Sequence, residues 1–300
     1  MAAGPFTFVT VDVFGSEKYR GNQLAIVSAR NNALSQERKQ QIAKEFNYSE
    51  TAFLHDAEPG HSRRLDIFTR NEELNFGGQA AIGTAHYIFQ KLENDEHRVA
   101  TQKGPWTSTL LTKAGRIPIY FDPVRHVAAA EVPHNVHLHS KEVPRDYLLA
   151  AQPDLRFHPE VDKGRAPFLF SPSSLKIGDA PEPELDEGWR GSPSFCGCMY
   201  YVQLDPDSRG YPYINHLRVR MIAAGMEDPA SGSGCCTLAC YLALRRGGKS
   251  ATHVYAFEQG VEMGRSSQAC VEVTLNETGT EVASVTLSGK AAFVTEGRLL

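Results

Sequence analysis

The sequence contains no run of about 18 uninterrupted apolar residues, so no membrane-spanning helix is expected. Its opening, MAAGPFTFVTVDVF, lacks the basic and then apolar regions of a secretory leader and passes straight into strand-like alternation. A cytoplasmic protein is the expectation. Charge of one sign is also lacking: a net charge of −4 and a pI near 6.3 offer no electrostatic attraction for nucleic acid or an anionic membrane. The first half has no cysteine. The six present are Cys196, Cys198, Cys235, Cys236, Cys240 and Cys270. Three of them lie in an apolar helical pattern, where a free thiol behaves as a small hydrophobe. Cys196-Gly-Cys198 has no second ligand pair at metal-binding spacing, so no metal is expected.

What is present belongs to a soluble globular chain, with 41% apolar and 22% charged residues. Three hundred residues are enough for two domains of ordinary size. Most of the chain reads as short strands rich in Val, Ile, Phe, Tyr and Thr. In the first half these are residues 6–14, 23–29, 50–56, 63–70 and 116–121. In the second they are 167–171, 199–205, 216–223, 253–259, 270–277 and 282–288. Residues 34–46 form an amphipathic surface helix with Ser35 as its N-cap. Residues 172–195, rich in Pro, Gly, Ser and acid, read as a long exposed loop.

Shifting the chain by 155 residues lays RRLDIFTRNEELNFGGQAAIGTAHYIF (63–89) on RVRMIAAGMEDPASGSGCCTLACYLAL (218–244). Each copy is a strand, an acidic pair, a Gly-containing run and an apolar helix. Glu72 and Glu73 fall on Glu227 and Asp228, and Gly77 falls on Gly232. The helices AAIGTAHYIF and CCTLACYLAL have no charged face, so each must be buried on all sides. Two similar domains are therefore expected, each a sheet curled around one helix. Both helices start after glycine, at FGGQ (76–79) and SGSG (231–234). Such starts present unpaired N–H groups and a partial positive charge, which suit an anion. The glycines can equally serve tight helix–strand packing alone. A nucleotide P-loop is excluded because Gly234-Cys235-Cys236-Thr237 has no lysine, and Thr237 removes the third glycine of a dinucleotide fingerprint.

Five ordered motifs carry a resemblance: VDVF…GNQLAIV (11–27), NYSETAFL (47–54), IFTRNEELNFGGQAAIGTA (67–85), EDPASGSG (227–234) and FEQGVEMGRSS (257–267). Together they resemble the PhzF-like family, named after the phenazine-biosynthesis isomerase. The resemblance implies an α+β, diaminopimelate epimerase-like fold, with two pseudo-symmetric domains that are each a curled, barrel-like, mainly antiparallel sheet around a central helix. It implies a first domain of residues 1–125, to which 290–300 return, a second domain of 126–289, and a homodimer. Proton transfer on a small carboxylate-bearing metabolite, with no metal or organic cofactor, is the activity it implies.

By the same resemblance the proton-transfer acid/base is Glu50, aided by Asp228 and Ser233, and Gln79 is added to the catalytic set from its own hydrogen-bonding chemistry. Asn22, Gly77, Gly78, Ser231, Gly232, Gly234 and Arg70 are assigned to substrate binding. A buried carboxyl suits the task because its pKa is raised toward working pH. Asp228 can at the same time cap the turn before its helix. The chain departs from the family pattern at Gln79, where a His is usual, and at Gln23 and Arg70, where Pro is frequent. Gln79 can orient a substrate but cannot shuttle a proton. Arg70 can take a carboxylate bidentately or pair with Glu72 or Glu73. A two-thiol epimerase mechanism is not expected, since the helix starts carry no cysteine pair. The alternative function is a weakly catalytic metabolite-binding or protein-interaction member of the fold.

Overall fold

Alternation of β-branched and aromatic residues with polar ones makes most of the chain strand. The computed structural model describes residues 6–29, 33–58, 62–92, 104–138, 197–204, 213–223 and 226–300, with residues 140, 146 and 186. The first half supplies β1 (Thr7–Val13), β2 (Asn22–Ser28), β3 (Glu50–Ala57), β4 (Ser62–Phe68), the short β5 (Glu73–Leu74), β6 (Trp106–Thr112), β7 (Gly115–Asp122) and β8 (Val127–Glu131). The second supplies β9 (Gly197–Gln203), β10 (Ile214–Ala223), β11 (Met226–Asp228), β12 (Thr252–Gln259), β13 (Ser267–Leu275), β14 (Val282–Gly289) and β15 (Ala291–Arg298). The expected strand at 167–171 and the loop at 172–195 lie outside the described residues, apart from residue 186.

All these strands join one curled, unclosed sheet in the order β11-β10-β12-β13-β14-β8-β7-β6-β4-β3-β2-β1-β15, with β5 on β4 and β9 on β10. The expectation of one sheet per domain is thus modified, because β8 pairs with β7 on one side and β14 on the other. VAAAE has weak strand propensity, and its place between two neighbours decides its conformation. β15 lies antiparallel to β1, with Thr7 opposite Arg298 and Val13 opposite Ala291, so the chain's last strand lies beside its first.

Inside the curl lie α2 (Gly78–Tyr87), continued by a π-helical turn (Ile88–Leu92), and α3 (Gly232–Arg246). Every α2 residue except Tyr87 is buried, and the helix touches β1, β2, β3, β7, β8, β14 and β15. Small side chains permit that closeness: a Cβ on Gly83 would lie 2.5 Å from Leu24 Cδ2. His86, also on α2, donates from Nε2 to the Gly289 carbonyl at 3.0 Å, and burial holds its pKa down at about 4, so it stays neutral. Among the described residues no helix is long and apolar enough to cross a membrane.

α1 (Gln36–Phe46) packs outside the sheet over Val27, Phe53 and Phe68, and Ser35 Oγ accepts the Arg38 N–H as its cap. Its C-cap, Asn47, adopts the left-handed conformation (φ 54°) and turns the chain into Tyr48-Ser49-Glu50 at the start of β3.

The internal repeat is real in the hairpins, at an offset one residue shorter than the 155 of the sequence comparison. Ile67 and Phe68 pair with Leu74 and Glu73 as Met221 and Ile222 pair with Asp228 and Glu227. The helix caps are Gly77 and Ser231. Glu73 therefore matches Glu227, and Leu74, not Glu73, stands opposite Asp228 in the repeat. Hairpin register fixes this correspondence; matching glycines by sequence displaced it by one position.

Candidate active site

Four chain reversals bring the candidate residues together. Gly21, at φ +72°, turns the chain into β2; a Cβ there would lie 2.3 Å from the Val13 carbonyl oxygen, so a side chain is excluded. Asn22 follows at once. Glu50 opens β3, Gly77 caps α2, and β11 ends at Asp228, three residues before the α3 cap Ser231.

The Glu50 carboxylate lies over the first turn of α2, where Oε2 accepts the Ala80 N–H at 2.8 Å. Both its oxygens stand 2.7 Å from the position a Cβ on Gly77 would take. The carboxylate thus occupies the space of the missing side chain and supplies the helix cap that glycine cannot. In α3 the same task falls to the cap itself, with Ser231 Oγ accepting the Gly234 N–H at 3.1 Å. The first two N–H groups of each helix, on Gly78, Gln79, Gly232 and Ser233, have no carbonyl partner within their helix. The two starts adjoin: a Cβ on Gly78 would lie 3.6 Å from Gly232 Cα, and one on Gly232 3.6 Å from Gln79 N. Leu287 closes the gap from β14, 2.7 Å and 2.9 Å from those two Cβ positions. The glycines therefore serve close packing and helix approach together.

Asp228 is held from both halves of the chain. Its Oδ1 accepts the Ala230 N–H at 3.1 Å and Asn22 Nδ2 at 2.8 Å, and the same Asn22 amide donates to the Ala230 carbonyl at 2.9 Å. Ser49 Oγ stands 3.0 Å from both Asn22 Oδ1 and Gln79 Oε1, so its one proton is shared between two acceptors. Gln79 Nε2 donates to the Gln23 carbonyl at 2.8 Å. From the other side, Gln259 donates to the Asp228 carbonyl at 2.7 Å and accepts the Ser231 N–H at 3.1 Å.

Both residues are half-buried. Burial raises Glu50 from 4.5 to about 7, against the Ala80 N–H, and the nearby Asp228 charge adds to the rise. Burial raises Asp228 from 3.8 to about 6, against the donors Ala230 N–H and Asn22. With two donors on Asp228 and one on Glu50, Asp228 ionises first and Glu50 keeps its proton nearer to neutrality.

The structure brings Glu50, Asp228, Gly77, Gly78, Ser231 and Gly232 together around the two helix starts. It places Gln79 and Asn22 differently from an exposed substrate contact: both are buried and their amides are engaged by protein groups. The Gly234 N–H is taken by the cap. Ser233 is exposed, its Oγ 3.5 Å from that of Ser231. Arg70 contacts Asn47 Oδ1 at 3.5 Å and Met226 Sδ at 3.1 Å, not Glu72 or Glu73. Cys235 is buried 3.8 Å from Gln259 Oε1, and burial pushes its thiol up, away from the reactive thiolate. Sequence reasoning missed the parts of Ser49, Ala80 and Gln259. Ser49 and Gln259 do lie within the motifs SETAF and FEQG, but only contact reveals what they hold.

A model of the phenazine biosynthesis-like protein family matches residues 11–144 and 199–297. An uncharacterized isomerase of Mesorhizobium japonicum is 28% identical, over 97% of this chain and 98% of its own. The trans-2,3-dihydro-3-hydroxyanthranilate isomerase of Pseudomonas aeruginosa is 27% identical, again over 97% of this chain and 98% of its own. The crystal structure of a Bacillus anthracis phenazine biosynthesis protein of the PhzF family superimposes with a TM-score of 0.67 at 17% identity, covering 99% of this chain and 100% of that one. The match spans both halves of the molecule and every motif built into the site, and the chain belongs to the phenazine biosynthesis-like (PhzF) family as an isomerase of the diaminopimelate-epimerase fold.

Proposed function

We propose that this isomerase moves a proton on a small carboxylate-bearing metabolite, cyclic or unsaturated, in the cleft where the two helix starts meet, without metal or organic cofactor. The observation that carries the reading is the Glu50 carboxyl, held on the Ala80 N–H beside Asp228 with its pKa at about 7. A group half-protonated at neutral pH can both take and deliver a proton.

The substrate carboxylate sits on the N–H groups of Gly78, Gln79, Gly232 and Ser233, at the positive ends of two helices. That placement stabilises the negative charge that builds up when the neighbouring C–H bond breaks. Glu50 takes the proton, the electron pair delocalises into the adjacent double bond, and Glu50 returns a proton at another carbon. One C–H bond breaks and one forms, so composition is unchanged. Asp228, ionised first, keeps the proton affinity of Glu50 high. Ser233 offers its hydroxyl to the substrate at the α3 start. Gln79 stands behind Ser49 and steadies Asn22. With no imidazole at that position to relay a proton, both transfers fall to Glu50. The Pseudomonas relative's name describes a ring acid with mobile double bonds, and that is the class we assign.

The test is solvent deuterium incorporation into a panel of small ring and unsaturated carboxylates, comparing the native protein with Glu50→Gln. Label entering one compound and absent with the variant supports the reading. Label that enters equally with both proteins removes Glu50 from the chemistry.

A further inference from the structure

We propose that Arg70 forms a second anion subsite, so that the substrate carries two carboxylates, one on the helix starts and one on this guanidinium. This rests on the helix-start reading of the first carboxylate and extends it to the substrate's far end.

Arg70 lies in the loop between β4 and β5, and its guanidinium reaches residues from both halves of the chain. Nη1 faces Asn47 Oδ1 at 3.5 Å, and Nη2 faces Met226 Sδ at 3.1 Å. Asn47 precedes Glu50 by three residues, and Met226 precedes Asp228 by two on the same strand. A strand rise of ~3.4 Å per residue puts Met226 about 7 Å from Asp228. Arg70 thus contacts the strand that ends at Asp228 and the turn that leads into Glu50.

Its partners are a neutral amide oxygen, at the limit of hydrogen-bond distance, and a thioether, which is a weak acceptor. Among the described residues no carboxylate lies within ion-pair distance of Arg70. Two acids of the hairpins are engaged elsewhere, while the exposed Glu72 carboxylate makes no ion pair with Arg70. Glu73 pairs with Lys113 and accepts from Gln36 at 2.9 Å. Glu227 is held by Arg220 at 2.6 Å and 2.7 Å.

The loop is fixed in advance. Thr69 Oγ1 accepts the Asn71 and Glu72 N–H groups, each at 3.1 Å, and Gln40 Nε2 donates to the Thr69 carbonyl at 2.9 Å. A guanidinium on a fixed loop, without a counter-ion among the described residues and set beside a carboxylate-handling site, matches the planar geometry of a second carboxylate.

Calorimetric titration of succinate, glutarate and adipate, against chain-matched butyrate, valerate and hexanoate, tests this on the native protein and Arg70→Gln. At least one diacid should bind about tenfold more tightly than its matched monoacid, the scale of one charge-assisted pair. Arg70→Gln should erase that preference. A diacid-to-monoacid ratio near unity throughout, or a preference that survives in Arg70→Gln, overturns the subsite while leaving the helix-start site standing. Binding of none of these acids to either protein overturns both.

Discussion

Replacing Glu50 with Gln should make the protein more stable at neutral and alkaline pH. The carboxyl's pKa stands at about 7 against its ordinary 4.5. At about 1.36 kcal/mol per tenfold change in proton affinity, that rise bounds the effect at about 3.4 kcal/mol. Because the residue is only half-buried, about 2 kcal/mol is the working figure. The folded state binds this proton more tightly than the unfolded chain does. Stability from this group is therefore complete below pH 4.5 and is lost as pH rises through about 7. Gln has nearly the same shape, accepts the Ala80 N–H through its carbonyl and cannot ionise. Its advantage should open above about pH 4.5, grow to about 2 kcal/mol and level off above about pH 7. Urea unfolding of both proteins at unit intervals from about pH 5 to about pH 9 reads this directly. Parallel stability curves, or a Gln variant less stable at the alkaline end, would refute the argument that the Glu50 site is built at a cost to the fold.

Gly77→Ala places a Cβ 2.7 Å from both Glu50 oxygens, while the backbone at φ −143° accepts alanine readily. The carboxylate tip should move off Ala80, lowering deuterium exchange about 100-fold with stability within about 1 kcal/mol of native; unchanged exchange would show that the carboxylate's position is immaterial. Asn22→Ala removes a donor from Asp228 and strands the Ala230 carbonyl, at about 1–3 kcal/mol by urea unfolding. Asp228 should then titrate higher in a carbon-13 NMR pH series, and an unmoved titration would contradict the assigned tie. Arg220→Met leaves Glu227, whose side chain is only 3% exposed, without its bidentate partner. The loss by urea unfolding should be about 3–5 kcal/mol at neutral pH; a loss below about 1 kcal/mol would contradict the assigned role of the pair.

Features set by local pattern are legible in the order of residues alone. α2 can be recognised as an interior helix because it has no charged face, and Ser35 as a cap because a hydroxyl precedes an amphipathic run; α3, read in the same way, leaves Thr237 exposed and Tyr241, Leu242 and Leu244 half-buried. Glu50 and Asp228 stand out through motifs shared with a known family. The repeat is visible too, but its register is not. A weak self-match cannot tell offsets one residue apart, whereas hairpin pairing at Ile67–Leu74 and Met221–Asp228 can.

By itself, then, the sequence determined most of the long strands but not β6 or β8, that α2 must be interior, and that two glycine-led helix starts and two candidate carboxyls exist. Only the tertiary structure decided that Glu50 caps the helix Gly77 cannot cap, and that Asn22 holds Asp228 from 206 residues away. It also turned Gln79 toward Ser49, left Arg70 without a counter-ion among the described residues, and merged the two halves into one sheet through β8. The physical reason is range. Helix and strand periodicity act over a few residues, but a pKa, a hydrogen-bond relay and a shared sheet depend on neighbours brought together by folding.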